Sequence, residues 1–218
     1  MGKLTLPLLD SRLYPQVWQQ QTFTTPQALL TAMLMAEDMP NANAFTQQLL
    51  ANDVYQDWIN STVFGRYLHR NFTAFYRQTE DSFNTDMPAL FRRELMRHAQ
   101  YLPLEQVLFF AGAIPKSVRR TKLLTTTVNP ATAVMNAQKI NGKAALSHAT
   151  LIINQIIVTG REVLGFPIRH NKRTSERTRN EVLILDFQEL RLVNEDNVIA
   201  KKRSNIDATI LLRSYELR

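Results

Sequence analysis

The chain has 218 residues, 44% of them hydrophobic, and a net charge of +7 from 26 Lys or Arg against 19 Asp or Glu; that is length enough to bury a core without covalent staples. It has no cysteine, which excludes disulfides, thiolate metal sites and cysteine nucleophiles. No run reaches the roughly 18 apolar residues of a membrane span, and Met1 to Pro15 lacks the basic-then-apolar layout of a signal peptide, so a soluble protein acting in the cytoplasm, with no membrane partner, is expected.

In chain order, the first hundred residues predict helices, because apolar residues recur at intervals of three and four and glycine is nearly missing. Thr25-Pro26 opens a helix as N-cap and first residue, with Leu29, Leu30, Met33 and Leu34 on its buried stripe. A second helix starts near Pro40 and carries Phe45, Leu49, Leu50, Val54 and Trp58, with a break before the segment of Phe64, Leu68, Phe72 and Phe75. A polar turn over Glu80 to Asp86 leads into a helix from Met87 to Gln100, with Leu90, Phe91, Leu95 and Met96 inward.

From Pro103 the pattern changes to short runs rich in β-branched residues, which predict strands at Val107–Phe110, Leu123–Val128, Ala149–Val158, Val163–Ile168, Glu181–Asp186, Leu190–Val193 and Ala208–Tyr215. A short helix from Pro130 to Gln138 interrupts them, with Asn129 as N-cap. The predicted fold class is α+β: a helical N-terminal portion over residues 1–102, then a mainly antiparallel β core over 103–218, in one unit without internal repeats.

The charge is uneven. Residues 1–60 hold Lys3 and Arg12 against Asp10, Glu37, Asp38, Asp53 and Asp57, a balance of −3, so the remainder carries +10. A basic C-terminal two-thirds suits a polyanionic partner or an acidic protein surface. Glycine-rich phosphate loops and nucleophile elbows are missing, and His69, His98, His148 and His170 are scattered, so no metal site is expected.

Three signals remain, in order. Leu-Phe-Phe-Ala-Gly-Ala-Ile-Pro (108–115) is a strand ending in glycine. Thr125-Thr126-Thr127-Val128-Asn129-Pro130 runs into a helix carrying Ala133, Val134 and Ala137. Glu181 heads the strand Glu-Val-Leu-Ile-Leu after a basic loop. Together they resemble the arginine-serine-glutamate class of mono-ADP-ribosyltransferases, over roughly residues 104–217. The most specific piece is Thr-Thr-Thr-Val-Asn-Pro-Ala-Thr-Ala-Val, which looks like the family's Ser-Thr-Ser strand and following helix.

The resemblance implies a split antiparallel β core and an enzyme that cleaves NAD+ at the nicotinamide–ribose bond and passes ADP-ribose to a macromolecule, with no metal. It implies that Glu181 is the catalytic carboxylate, stabilising the oxocarbenium ion formed as nicotinamide leaves. Thr125 takes the first serine's place, holding the glutamate, and Thr127 the second; Thr126 stands between them, and Gly112 lets the backbone approach the nicotinamide carboxamide. Family members also carry an arginine before that glycine to bind a phosphate of NAD+. Here the position is Ala111, which reads as the replacement of an arginine. Either the chain is catalytically silenced or another cation serves, with Arg119, Arg120 and Arg77 as candidates.

The loop before Glu181, in the family the region that meets the acceptor, carries Arg169, Lys172, Arg173, Arg177 and Arg179 against Glu176 alone. Arg179 stands where members that modify arginine carry glutamate, which disfavours arginine acceptors. The loop's charge favours a nucleic acid acceptor, RNA over duplex DNA, with a protein acceptor as the alternative. The cluster Lys201-Lys202-Arg203 is expected to be a solvated turn. A toxin or effector role, with an inhibitory protein partner, is consistent with such an activity. A degenerate binding module and an NAD+ glycohydrolase stay open.

Overall fold

In the computed structural model, which describes residues 3–9, 26–35, 41–60, 87–143, 150–168, 178–200 and 208–218, helices precede and cover a sheet of eight strands. Helix α1 (Pro26–Met35) starts on its proline and buries Leu29, Leu30 and Met33. The single helix expected through Trp58 is two, α2 (Ala42–Ala51) and α3 (Asp53–Asn60). Asn52 divides them: its backbone is extended (φ −90, ψ 125), its N–H returns to Leu49 O at 3.1 Å, and its Oδ1 accepts from Tyr55 N at 3.0 Å. A short polar side chain that can bond nearby backbone ends one helix and caps the next. Helix α4 (Met87–His98) stops short of Gln100 because Gln100–Tyr101 leave it to form strand β1. The expected segment of Phe64 to Phe75, the Glu80–Asp86 turn and the Lys201–Arg203 cluster lie outside the described residues.

The strands that follow are β2 (Val107–Ala111), β3 (Leu124–Thr127), β4 (Leu151–Val158), β5 (Leu164–Pro167), β6 (Glu181–Asp186), β7 (Leu190–Ala200) and β8 (Ala208–Leu217). Two helices are interposed, the four-residue α5 (Val118–Thr121) and the long α6 (Pro130–Lys143). The sheet order is β1-β5-β6-β3-β2-β4-β8-β7, with every pairing antiparallel except β4 with β8. Strand β7 runs well past the expected Val193. Its second half, Asn194-Glu195-Asp196-Asn197, has little strand propensity of its own and is held by pairing to the apolar β8.

The middle of the sheet is nearly open. Strands β2 and β3 share one register pair, Phe109 with Thr127, whereas β3 pairs with β6 at four positions and β2 with β4 at five. Two four-stranded halves therefore meet at a single point, and beyond it Phe110 and Ala111 part from Thr126 and Thr125.

The main hydrophobic cluster joins the N-terminal helices to the sheet: Leu29, Met33, Phe45 and Trp58 pack with Val134 and Ala137 of α6 and with Ile153, Ile156 and Leu212 of the strands. A second cluster, Leu95 and Ala99 against Leu164, Phe166, Leu183 and Leu185, seats α4 on β5 and β6. The segment at residues 3–9 laces these parts together. Thr5 bridges Tyr101, Trp58 Nε1 donates to Pro7 O at 2.7 Å, and the Lys3 ammonium reaches the carbonyls of Met96 and Ala99 at the C-terminal end of α4. A cation there opposes the negative end of the helix dipole.

At the edge of the sheet among the described residues, β7 carries a bulge between Leu192 and Asn194, with Leu192 and Val193 45% and 54% exposed. Gly165 on β5 faces Leu102 so closely that an added Cβ would stand 2.4 Å from Leu102 Cδ2 and 2.6 Å from its Cγ. Because Leu102 is itself fully buried, it has nowhere to retreat. Gly165→Ala is expected to lower unfolding stability by about 1–3 kcal/mol, read from urea denaturation; an unchanged midpoint would mean that the β5–Leu102 contact is looser than described.

Candidate functional site

The parting of β2 from β3 opens a cleft of 410 Å³, within the range of roughly 300–1,000 Å³ usual for small-molecule sites. One wall is Phe109, Phe110 and Ala111 of β2, and the other is Thr125, Thr126 and Thr127 of β3 with Arg179 and Glu181. Helix α6 closes the cleft with Thr132, Ala133, Asn136, Lys139 and Ile140, residues spaced three and four apart on one helical face.

Glu181 heads β6 directly opposite Thr127, and Thr125 stands opposite Leu183. The three side chains fall on one face of the two strands, because strand residues two apart point the same way. The Glu181 side chain is 19% exposed, and its Oε1 lies 3.7 Å from Arg179 Nη1. Thr125 is exposed at the mouth of the cleft, but Thr126 and Thr127 are buried and committed to backbone. Thr126 Oγ1 donates to Val182 O at 2.8 Å; Thr127 Oγ1 shares its proton between the carbonyls of Arg179 and Asn180 and accepts from Asn129 N at 2.9 Å. The Thr127 hydroxyl thus fixes the backbone that leads into Glu181.

A buried polar node completes that fixation. Asn129, fully buried at the start of α6, caps the helix through Thr132 N and Oδ1 (3.2 Å), while its Nδ2 donates to Asn180 Oδ1 at 2.9 Å and to Thr46 Oγ1 and Ala42 O of α2. Asn180 has φ +44, a left-handed conformation that asparagine tolerates. Its Oδ1 also accepts from Thr46 Oγ1 at 2.7 Å, and its Nδ2 donates to the Tyr55 hydroxyl at 3.0 Å. Thr132 Oγ1 bonds Thr178 O. The three residues before Glu181 are thereby tied to α2, α3, β3 and α6 at once. Burial pushes the Tyr55 phenol up to about 12, against the opposing effect of the Asn180 hydrogen bond.

On the opposite wall, Ala111 is half-buried and ends β2. Gly112 follows with φ +85, which favours glycine, and Ile140 Cδ1 lies 3.2 Å from where a Cβ would stand. Asn154, buried on β4, donates from Nδ2 to Phe110 O at 3.0 Å and to Gly112 O at 2.7 Å, straddling Ala111. The Gly112 N–H is bonded to Ile152 O at 2.8 Å, so a bound carboxamide would find only the carbonyl there.

The cleft thus gathers Ala111, Thr125, Thr126, Thr127, Arg179 and Glu181, with Gly112 adjoining. Arg169, Lys172, Arg173 and Arg177 lie outside the described residues, as does Arg77. Arg119 and Arg120 are exposed on α5 and do not line the cleft. The lining cation that sequence reasoning missed is Lys139. The expected helix ended at Gln138, one residue short of it.

No family model matches the chain, and no curated protein matches it in sequence. Among solved structures it is similar to Vis toxin, an ADP-ribosyltransferase from Vibrio splendidus, at 10% identity, over 97% of this chain and 88% of that one, with a TM-score of 0.34. So slight a likeness assigns no role to any residue.

Two measurements test the node. Asn180→Ala removes partners from Thr46, Asn129 and Tyr55, and unfolding stability should fall by roughly 3 kcal/mol; a loss of a few tenths would contradict the network. Because the folded Tyr55 value is above the ordinary 10.0, the unfolded chain releases the proton first. Its contribution is whole below pH 10.0 and is lost as pH climbs towards 12, a fall on the order of 2–3 kcal/mol. Comparing denaturation with Tyr55→Phe across that window reads it, and parallel curves for the two proteins would refute it.

Proposed function

We propose that this chain carries a mono-ADP-ribosyltransferase site that takes NAD+ in the β2–β3 cleft, with Glu181 as the catalytic carboxylate. The observation that carries the reading is the register of Thr127 with Glu181 across β3 and β6, set facing Ala111 over a 410 Å³ opening. The glutamate strand is more than fifty residues from the threonine and glycine-terminated strands in sequence, and the resemblance requires the three at one place.

In this reading NAD+ breaks at the bond between the ribose C1′ and the nicotinamide nitrogen, whose electron pair leaves with nicotinamide. The carboxylate of Glu181, beside the nicotinamide ribose, stabilises the positive charge that develops at C1′. The acceptor's nucleophile then adds to C1′ and gives up a proton. Phe109, Phe110 and Ile140 offer the apolar walls that a planar ring needs. The buried node holds the Glu181 backbone rigidly, as preorganisation demands.

The acceptor we favour is RNA. Residues 169–179, just ahead of Glu181, hold five Lys or Arg against one acid, and Arg179, the last of them, already lines the cleft, placing positive charge where a phosphate-bearing acceptor would arrive. The protein would then be a toxin or effector acting in a cytoplasm, with an inhibitory protein partner. A second reading has its own support: Ala111 offers no donor, so the chain could be a transferase-like binding module that no longer turns over.

Ala111→Arg decides between them. Incubated with radiolabelled NAD+ and a cell extract, the arginine variant should transfer label to material destroyed by nuclease. Glu181→Gln in that background should cut transfer by about a hundredfold or more. Label removed by protease would replace RNA with protein, and free ADP-ribose without labelled macromolecule would mean water is the acceptor. No gain in NAD+ binding or turnover from Ala111→Arg would leave the binding module.

A further inference from the structure

Among the described residues, the charged side chains that line the cleft are Arg179, Glu181 and Lys139. Arg179 stands 3.7 Å from Glu181, so each of these charges has an opposite neighbour. Lys139 has no ion pair or hydrogen bond among the described residues. Among the described residues its charge is thus uncompensated, and it lines the cleft.

Its position is set by the helix. Asn129 fixes the first turn of α6 to the node, and Ile140 presses against Gly112, reaching within 3.2 Å of a Cβ built there. The third turn of α6 is consequently seated on the end of β2, next to Ala111. Lys139, adjacent to Ile140 and also lining the cleft, has a four-carbon stem that can carry its ammonium to ligand oxygens near the Ala111 position. Asn136, one turn earlier on the same face, adds an amide donor.

We propose that Lys139, with Asn136 beside it, binds the diphosphate of the ligand in this cleft, in place of the guanidinium that position 111 lacks. This rests on the reading of the cleft as an NAD+ site and adds to it the residue that meets the phosphates. An ammonium is a point charge that does not impose the paired geometry of a guanidinium. The site it makes should therefore be weaker and more salt-sensitive than one built on arginine.

The experiment is calorimetric titration of the full chain with NAD+, with ADP-ribose, which keeps the diphosphate, and with nicotinamide, which lacks it. Lys139→Gln should weaken NAD+ and ADP-ribose by about ten- to a hundredfold and leave nicotinamide unchanged. Lys139→Arg should retain binding, Ala111→Arg combined with Lys139→Gln should restore it, and Arg119→Ala with Arg120→Ala should have no effect. NAD+ binding unchanged by Lys139→Gln would overturn the role of Lys139 and leave the NAD+ reading standing. That role is equally overturned if the native chain does not bind NAD+ but Ala111→Arg does. If neither binds, the NAD+ reading fails and this proposal falls with it.

Discussion

Two buried asparagines, Asn129 and Asn180, hold the architecture at the point where its parts converge. Their carboxamides bond each other at 2.9 Å, and the remaining partners come from α2, α3, the first turn of α6 and the Thr178 carbonyl. An amide shut away from water must find partners or cost its full desolvation, so this arrangement tolerates few alternatives. The approach angle of α6, the path of residues 178–180 and the start of β6 are settled together. Glu181, the next residue after Asn180, inherits its position from the node.

The opened sheet is the second constraint, and it follows from the first. With α6 anchored at its N-terminal end and lying over β2, β3 and β4, the two halves of the sheet need not zip together to share a core, because the helix covers the opening between them. One register pair suffices. The gap is lined by residues that alternate between duties. Thr126 and Thr127 spend their hydroxyls on backbone carbonyls, whereas Thr125, Asn136 and Lys139 are left exposed along the cleft.

Much of this is legible in the sequence because the signals are periodic or punctuated. The strand from Glu181 to Asp186 and the capping role of Asn129 can be read directly, since β-branched runs and an Asn-Pro junction have a local physical cause. Other features have none. The division of α2 from α3 depends on Asn52 folding its amide onto Tyr55, and the long β7 depends on β8. Lys139 is hidden because Asn141-Gly142 looks like a turn, whereas α6 continues through to Lys143. Asn180 gives no signal at all: only the fold reveals that a residue in a basic loop is buried, with its amide bonded to Tyr55 of a helix far earlier in the chain. Its left-handed backbone is the one property its residue type could suggest.

The bulge in β7 has a consequence outside the cleft. A long outermost strand offers a row of amides and carbonyls on which a second molecule could crystallise its own strand, and Leu192 and Val193 would make such a contact sticky. Interrupting the register between Leu192 and Asn194 breaks the regular spacing that a docking strand would need. The neighbouring Arg191, Glu195 and Asp196 add charges of both signs to that rim. The molecule thus keeps an exposed border without presenting a template for fibre growth, which matters for a chain whose core is so largely sheet.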